Sequence, residues 1–259
     1  MDMEEKQRLI LAVPPGSLTA AQRWSLPMAH LAYRVGGGPH LFRSSSPVSP
    51  RGGLLVMDAP QFPGGGETEN FCGEVLRECT ARKFGGVVCR FGGAVPPQLK
   101  EAAARLGEAC AQRGLSCYVS EPYGAAVPQA RVLLSTAISG GSLRSRLEEA
   151  QGRFGPDRVA LWVERVREDF LLPSPTGSGK ALTGEELEKL REEQGGSVFF
   201  DHQLCAHYFT YMAGRQGHFV LFDDAGSVKK KLQIGRELGI PAAFLPYGEM
   251  ADILGAVLA

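Results

Sequence analysis

Several ionisable residues in this chain stand where an apolar run stops. DRVALWVE (157–164) closes on Glu164, with Trp162 two residues before it. LLVMDA carries Asp58, GVVCRF carries Arg90 and LSCYVSE carries Glu121. SVFFDH ends on Asp201 and His202, and HFVLFDD on Asp223 and Asp224. Carboxylates grouped around one basic residue suit general acid–base chemistry. Burial or a like charge lets one acid keep its proton for donation, while a nearby cation keeps another ionised. That chemistry requires the strand ends to meet in space. The competing account is that strand ends are polar in any protein and that Asp favours helix N-caps.

The elements that would bring them together follow from the spacing of apolar residues. Eight short runs recur from residue 54 onward: 54–59, 86–91, 115–121, 131–137, 159–164, 197–202, 218–224 and 242–248. Amphipathic stretches such as PPQLKEAAARLGEACAQRG and SLRSRLEEAQGRF lie between several of them. Thr183 with Glu186 has capping-box spacing, and Asp223-Asp224 precede the helix that begins near Ser227. Strands alternating with helices predict an α/β fold with a parallel sheet. Eight units fit a (β/α)8 TIM-like barrel, whose usual size is about 250 residues. The alternative is an open doubly wound sheet, although no GxGxxG follows the first run.

Along DRVALWVE the side chains alternate faces. Val159, Leu161 and Val163 should meet the surrounding helices, while Ala160, Trp162 and Glu164 should point into the barrel. Glu164 then sits at the C-terminal mouth, where barrel enzymes gather their catalytic groups. Only EPYGAAVPQ joins the third and fourth runs, too little for a full helix, and HYFTYM with AGRQG suggests an extra strand and a turn. Residues 1–53 are expected to form an extension packed on a barrel of residues 54–259, with RLILAV as a strand and AHLAYRV-GGG-PHLFRS as a hairpin.

Composition narrows the partners. The 259 residues hold 28 Lys plus Arg against 28 Asp plus Glu, so no whole-chain field draws the protein to nucleic acid or an anionic membrane. Lys229-Lys230-Lys231 reads as the exposed start of a helix. The N-terminal apolar run is too short for a signal-peptide core or a membrane span. Six cysteines show no CxxC pair and sit in apolar patterns, as reduced thiols do, which places the expected location in the cytoplasm. No motif requires a cofactor or a metal. GSGK at 177–180 lacks the full phosphate-loop pattern, and His202, Cys205 and His207 lack a second ligand pair. Tyr208, Phe209 and Tyr211 form either a carbohydrate platform or ordinary packing.

DRVALWVE resembles the DxxDxDxE motif that family-18 glycoside hydrolases, the chitinase-like barrels, carry on a barrel strand. Asp157 matches the first position and Glu164 the last, while Ala160 and Trp162 stand at the two inner Asp positions. The preceding ISGGSLRSRLEEAQGRFGPDR is similar to the Gly-Gly strand end and helix before that motif, with Ile138 where the stricter SxGG pattern has Ser. Residues 208–240 resemble the family's closing units, especially those of its short spore-associated members, through Asp223, Asp224, Ser227 and Lys231. The Trp that floors the family's sugar pocket has no counterpart in AAFLPYG.

This resemblance implies Glu164 as the acid that protonates a glycosidic oxygen. The family uses the substrate's own acetamido group as nucleophile, oriented by the Asp two residues before the acid. Trp162 cannot do that, so Asp201 or Asp223 would have to supply the missing charge. The expected partner is an amino-sugar-containing glycan. Asp58, Arg90, Glu121, Trp162, His202, Tyr208, Tyr211, Asp224 and Tyr247 are the expected contacts. The sequence thus reads as a degenerate chitinase-like barrel that binds a glycan or cleaves it in a weak or altered way. A non-catalytic interaction barrel and an unrelated metal-assisted barrel enzyme are the alternatives, and the oligomeric state is open.

Overall fold

The computed structural model describes residues 7–45, 48, 50–60, 62–65, 67–174, 177–194 and 196–259. Pro175 and Thr176, beside the GSGK segment, lie outside the described residues, as do parts of the serine-rich loop after the hairpin. The first part of the chain runs through β1 (Arg8–Val13), α1 (Leu18–Gln22), β2 (Met28–Gly36), β3 (His40–Arg43), β4 (Leu54–Asp58) and α2 (Thr68–Arg82). It continues through β5 (Gly86–Arg90), α3 (Pro97–Gln112), β6 (Ser116–Ser120), β7 (Arg131–Ser135), α4 (Leu143–Phe154) and β8 (Val159–Trp162). Next come β9 (Arg167–Leu172), β10 (Lys180–Ala181), α5 (Gly184–Gln194), β11 (Phe199–Asp201), β12 (Ala206–Ala213) and β13 (Gln216–Phe222). The chain closes with α6 (Ala225–Glu237), β14 (Ala242–Pro246), α7 (Tyr247–Met250) and α8 (Leu254–Leu258).

Strands β1, β2, β4, β5, β6, β7, β8 and β14 form a closed parallel barrel of eight strands, a (β/α)8 fold. Closure comes from β1, which pairs in parallel with β14 on one side (Ile10 opposite Phe244) and with β2 on the other (Leu11 opposite Met28). Two layers of apolar side chains follow from strand alternation. Inside the barrel lie Ile10, Ala12, Val56, Val88, Tyr118, Ala160, Trp162 and Phe244. Between strands and helices lie Leu11, Val87, Cys89, Leu106, Val159, Leu161 and Val163. The expected facing of DRVALWVE is therefore correct. All six cysteines are free and buried, in keeping with their apolar surroundings.

Two expectations need correction. Residues 1–53 are not an appendage, because β1 and β2 are barrel strands. Without β1 the sheet could not close, and its two edges would be left unpaired. The expected hairpin exists, pairing Val35 with Leu41, but its first strand belongs to the barrel wall. Conversely, SVFFDH and HFVLFDD are not barrel strands. They supply β11 and β13 of a separate five-stranded antiparallel sheet, in the order β10-β9-β13-β12-β11. An apolar run ending in acid before a helix looks the same in either setting. Pairing distinguishes them: β12 and β13 are joined by a tight turn at Gly214, whose φ of 65° is in the left-handed region that glycine tolerates. The extra strand and turn expected at HYFTYM and AGRQG are both present, and β6 reaches β7 without a full helix.

The antiparallel sheet lies between β8 and α6. One face packs through Val166, Phe170, Leu204 and Leu221 against Ala137 and Ile138, beyond the end of β7. The other is covered by α5 through Leu187 against Phe209, Val220 and Phe222. No described helix is long and apolar enough to cross a membrane.

A candidate site at the C-terminal mouth of the barrel

Parallel strands deliver their last residues to one end of the barrel, and there the sequence changes from apolar to polar. Asp58 ends β4, Arg90 ends β5, Glu121 follows β6, Ser135 ends β7, and Trp162 ends β8 with Glu164 two residues beyond. These six line one open cavity of about 450 Å³, and Arg146 reaches into it from α4.

Trp162 forms part of the floor. Its side chain is 5% exposed and stacks on Phe244 at 5.7 Å, with the rings tilted by 22°. The guanidinium of Arg90 lies 4.9 Å from the centre of the indole ring, a cation–π arrangement. The large ring therefore fills the top layer of the barrel interior, where a carboxylate would be costly to bury. Its indole N–H is buried without an acceptor among the described residues. A sugar could stack on Trp162 only if Arg90 moved aside.

Glu164 is held from two directions. Ser135 donates its hydroxyl hydrogen to the carboxylate, and the Ser135 oxygen in turn accepts the Ala137 N–H at 3.0 Å. An Nη of Arg90 stands 3.9 Å from the other carboxylate oxygen. Glu121 accepts from Arg146 at 2.8 Å and faces Arg153 at 3.8 Å. Burial pushes the Asp58 carboxyl above its ordinary range, opposed by the charges of Arg90 and Arg34. Behind Glu164 stands Glu249. Burial also raises its pKa, the backbone N–H of Arg165 opposes that shift, and the negative charge of Glu164 adds to it. The mouth thus sets guanidinium-paired carboxylates beside two acids, Asp58 and Glu249, that hold protons more readily than usual, an arrangement suited to proton transfer and to binding a ligand rich in hydroxyl groups.

The structure brings together Asp58, Arg90, Glu121, Trp162 and Glu164 but leaves the other expected site residues elsewhere. Asp223 is buried in an ion pair with Lys231 at 2.5 Å and accepts the Val166 N–H at 2.8 Å. It anchors the antiparallel sheet to α6, and Lys231 is buried, contrary to the exposed lysine run expected. Asp224 caps α6 by accepting from Ser227 N–H at 2.8 Å. The family-like pattern Asp223, Asp224, Ser227 and Lys231 is explained here by folding. Asp201 accepts the N–H groups of Gln203 and Leu204 in a turn of the antiparallel sheet. His202 packs its ring on Phe200, and Tyr208 stacks between strands on Phe199 and Phe219. Tyr211 donates to Asp169 at 2.8 Å and stacks on His218. Tyr247 is buried in the outer core. Asp157 sits in a short turn before β8, which places only its backbone carbonyl in contact with Arg131.

Sequence reasoning missed Ser135, Arg146 and Glu249. Ser135 obeys the same strand-end rule, and its small polar side chain was the available signal. Arg146 lies in the amphipathic stretch SLRSRLEEAQGRF, away from any strand end, so the strand-end rule does not point to it. Among the described residues no group of three His, Cys, Asp or Glu side chains is arranged to hold a metal ion.

No protein-family model matches the sequence, and no curated protein matches it either. Solved structures do. A chitinase from Chromobacterium violaceum superposes with a TM-score of 0.71 at 16% identity, over 97% of this chain and 98% of that one. The spore cortex-lytic enzyme SleL of Bacillus cereus superposes with a TM-score of 0.67 at 17% identity, over 94% of this chain and 71% of that one. The fold is that of chitinase-type barrels. The likeness extends through the antiparallel sheet and both N-terminal barrel strands, since it covers nearly the whole chain. SleL of Bacillus megaterium gives the same TM-score, 0.67, at 14% identity.

Proposed function

We propose that this protein is a glycan-binding barrel that takes an amino-sugar-containing chain at its C-terminal mouth. The observation that carries the reading is the convergence of Asp58, Arg90, Glu121, Ser135, Trp162 and Glu164 on one open cavity. A glycan presents hydroxyl and amide groups of both hydrogen-bonding senses, and the mouth offers carboxylate acceptors beside guanidinium donors. The names of the structural neighbours, chitinases and cortex-lytic enzymes, support the same class of ligand. Glu164 acts mainly as a fixed acceptor, because Ser135 and Arg90 hold it in place and Trp162 occupies the neighbouring position that orients the acetamido group in the resembling family. The test is a thermal-shift and calorimetric titration with chito-oligosaccharides. Binding should raise the melting temperature, and Glu164→Gln should weaken it about tenfold or more. If no amino-sugar oligomer binds the folded protein, the reading fails.

A weak or altered hydrolysis with Glu164 as the acid is the second reading, favoured by the raised pKa of Asp58 in the same cavity. It predicts saturable sugar release that Glu164→Gln abolishes. In that reading Asp58, and not Asp201 or Asp223, is the acid placed to assist.

A further inference from the structure

The end of the barrel opposite the mouth holds a second open cavity, of about 410 Å³. It lies where β1, β2 and β4 begin, lined by Arg8, His30, Arg51 and the apolar Leu18, Met28 and Pro50, together with the Gly52–Gly53 turn. That turn is a fixed wall. Gly52 and Gly53 have φ of 69° and 67°, and a Cβ on Gly53 would come within 2.1 Å of the Met28 carbonyl oxygen. The Gly52 N–H donates to the Arg82 carbonyl at 2.9 Å, and the Gly53 carbonyl accepts the Gly85 N–H at 2.7 Å.

The charge here differs in kind from that of the mouth. Two guanidinium groups line the cavity and no Asp or Glu does. Arg8 and Arg51 are exposed, so by themselves they attract anions weakly and without selection. His30 adds the selection. It is 4% exposed, and Phe84 packs on its ring at 5.7 Å. Its Nε2 lies 3.1 Å from the Gly52 carbonyl oxygen, which can only accept, so Nε2 carries the hydrogen. Burial lowers the pKa of the ring, which is therefore neutral near pH 7, and Nδ1 keeps a bare lone pair. That nitrogen is buried with no donor among the described residues.

A ligand that answers both features brings anionic oxygens for the guanidinium groups and a hydrogen for Nδ1. Inorganic phosphate retains a proton at neutral pH, and a monoester, whose second pKa is about 6, can take one up on binding. Sulfate has nearly the same shape and no proton to give. We infer that this cavity binds a phosphate group, with Arg8 and Arg51 on its oxygens and His30 accepting its hydroxyl. The free ion and a small monoester share this chemistry, and the apolar side of the cavity has room for the organic part of the latter. The site is separate from the mouth, and the glycan reading stands or falls without it.

The experiment is isothermal titration at pH 7 and low salt with inorganic phosphate, sulfate and phenyl phosphate. Phosphate should bind with a Kd of about 1 mM or tighter, and sulfate about tenfold more weakly or worse. Arg8→Gln and Arg51→Gln, both surface changes, should each weaken phosphate about tenfold. His30→Leu should bring the phosphate-to-sulfate ratio close to one, while His30→Gln, which offers a donor to Gly52 and an acceptor to the ligand, should retain part of it. Glu164→Gln, at the other end of the barrel, should leave phosphate affinity unchanged. Circular dichroism and melting curves establish which variants are folded; if His30→Leu is not, the sulfate comparison on the unaltered protein still decides. Phenyl phosphate binding tighter than the free ion would mark a monoester as the ligand, and weaker binding would mark the free ion. Equal affinity for phosphate and sulfate would overturn the role of His30. Phosphate binding that neither arginine change weakens would overturn the location, and no binding of phosphate or phenyl phosphate would overturn the site.

Discussion

Strands β8 and β14 of the barrel are buried at every residue, whereas β12 and β9 of the antiparallel sheet are mostly half-buried or exposed and end in the open at Met212 and Leu172. The barrel strands have a packed interior on one side and helices on the other, so VALW and AAFLP read as continuous apolar runs. The antiparallel sheet is less well covered, because α5 and the residues beyond β7 each shield only part of a face. The comparison teaches where substitutions should be felt. The barrel holds the geometry of the mouth, and the sheet beside it is joined to the barrel through an apolar cluster around Val166 and Leu221 and through one buried polar pair, Asp223 with Lys231.

That pair gives the largest expected effect. Lys231→Met leaves the Asp223 carboxylate buried without its cation and should cost about 3–5 kcal/mol in urea denaturation. The double variant Asp223→Asn, Lys231→Met should recover much of that loss, since replacing both charges removes the unpaired one. A small effect of the single change would mean that the sheet is not held as the geometry indicates. Next comes the interior. Phe244→Ala, at a fully buried ring that meets Tyr118 edge-to-face and stacks on Trp162, should cost about 3–5 kcal/mol, whereas Phe199→Ala, 53% exposed on the antiparallel sheet, should stay within about 0.5 kcal/mol. Equal costs at the two positions would break the comparison.

Smaller effects on folding belong to the mouth. Glu164→Gln should change stability by less than about 1 kcal/mol, because its ion pair with Arg90 is long and solvent-exposed, yet it should impair sugar binding. The smallest effect concerns pH. Asp58 has a raised native pKa, so the native state binds more protons than the unfolded chain between the ordinary Asp value and the raised one. The stability this confers is fully present below the ordinary value and is lost as pH rises through that window. Asp58→Asn should therefore give a small gain in melting temperature at neutral pH and none in acid. A gain that is larger in acid would reverse the assigned sign.

Much of the barrel was legible because parallel strands flanked by helices leave a simple trace. Six of the eight runs from residue 54 onward are barrel strands, and DRVALWVE faces as its alternation predicts. The remaining two barrel strands were hidden in RLILAV and MAHLAYRV, whose burial depends on closure with β14, more than two hundred residues away. Alternation along one segment carries no information about such a partner. The same limit governed the site. Asp58, Arg90, Glu121 and Glu164 were found by the strand-end rule, which holds when the strand is in the barrel. Asp201 and Asp223 satisfied the same rule from the wrong sheet. The resemblance to family-18 barrels carried the fold correctly, while the matching residues of its closing segment turned out to build a helix cap and a buried ion pair.

The strands that enter and leave the antiparallel sheet are tied together at its base, where the Asp223 N–H donates to the Val166 carbonyl and the Val166 N–H donates to the Asp223 side chain, both at 2.8 Å. An excursion of the chain whose two ends touch can lengthen, shorten or be exchanged without pulling the barrel strands apart, because the closure is already made at its neck. The stretch between residues 166 and 223 is thus a cassette in the engineering sense. It is the natural place to graft a foreign domain beside the mouth, or to delete one, while the scaffold beneath keeps its shape.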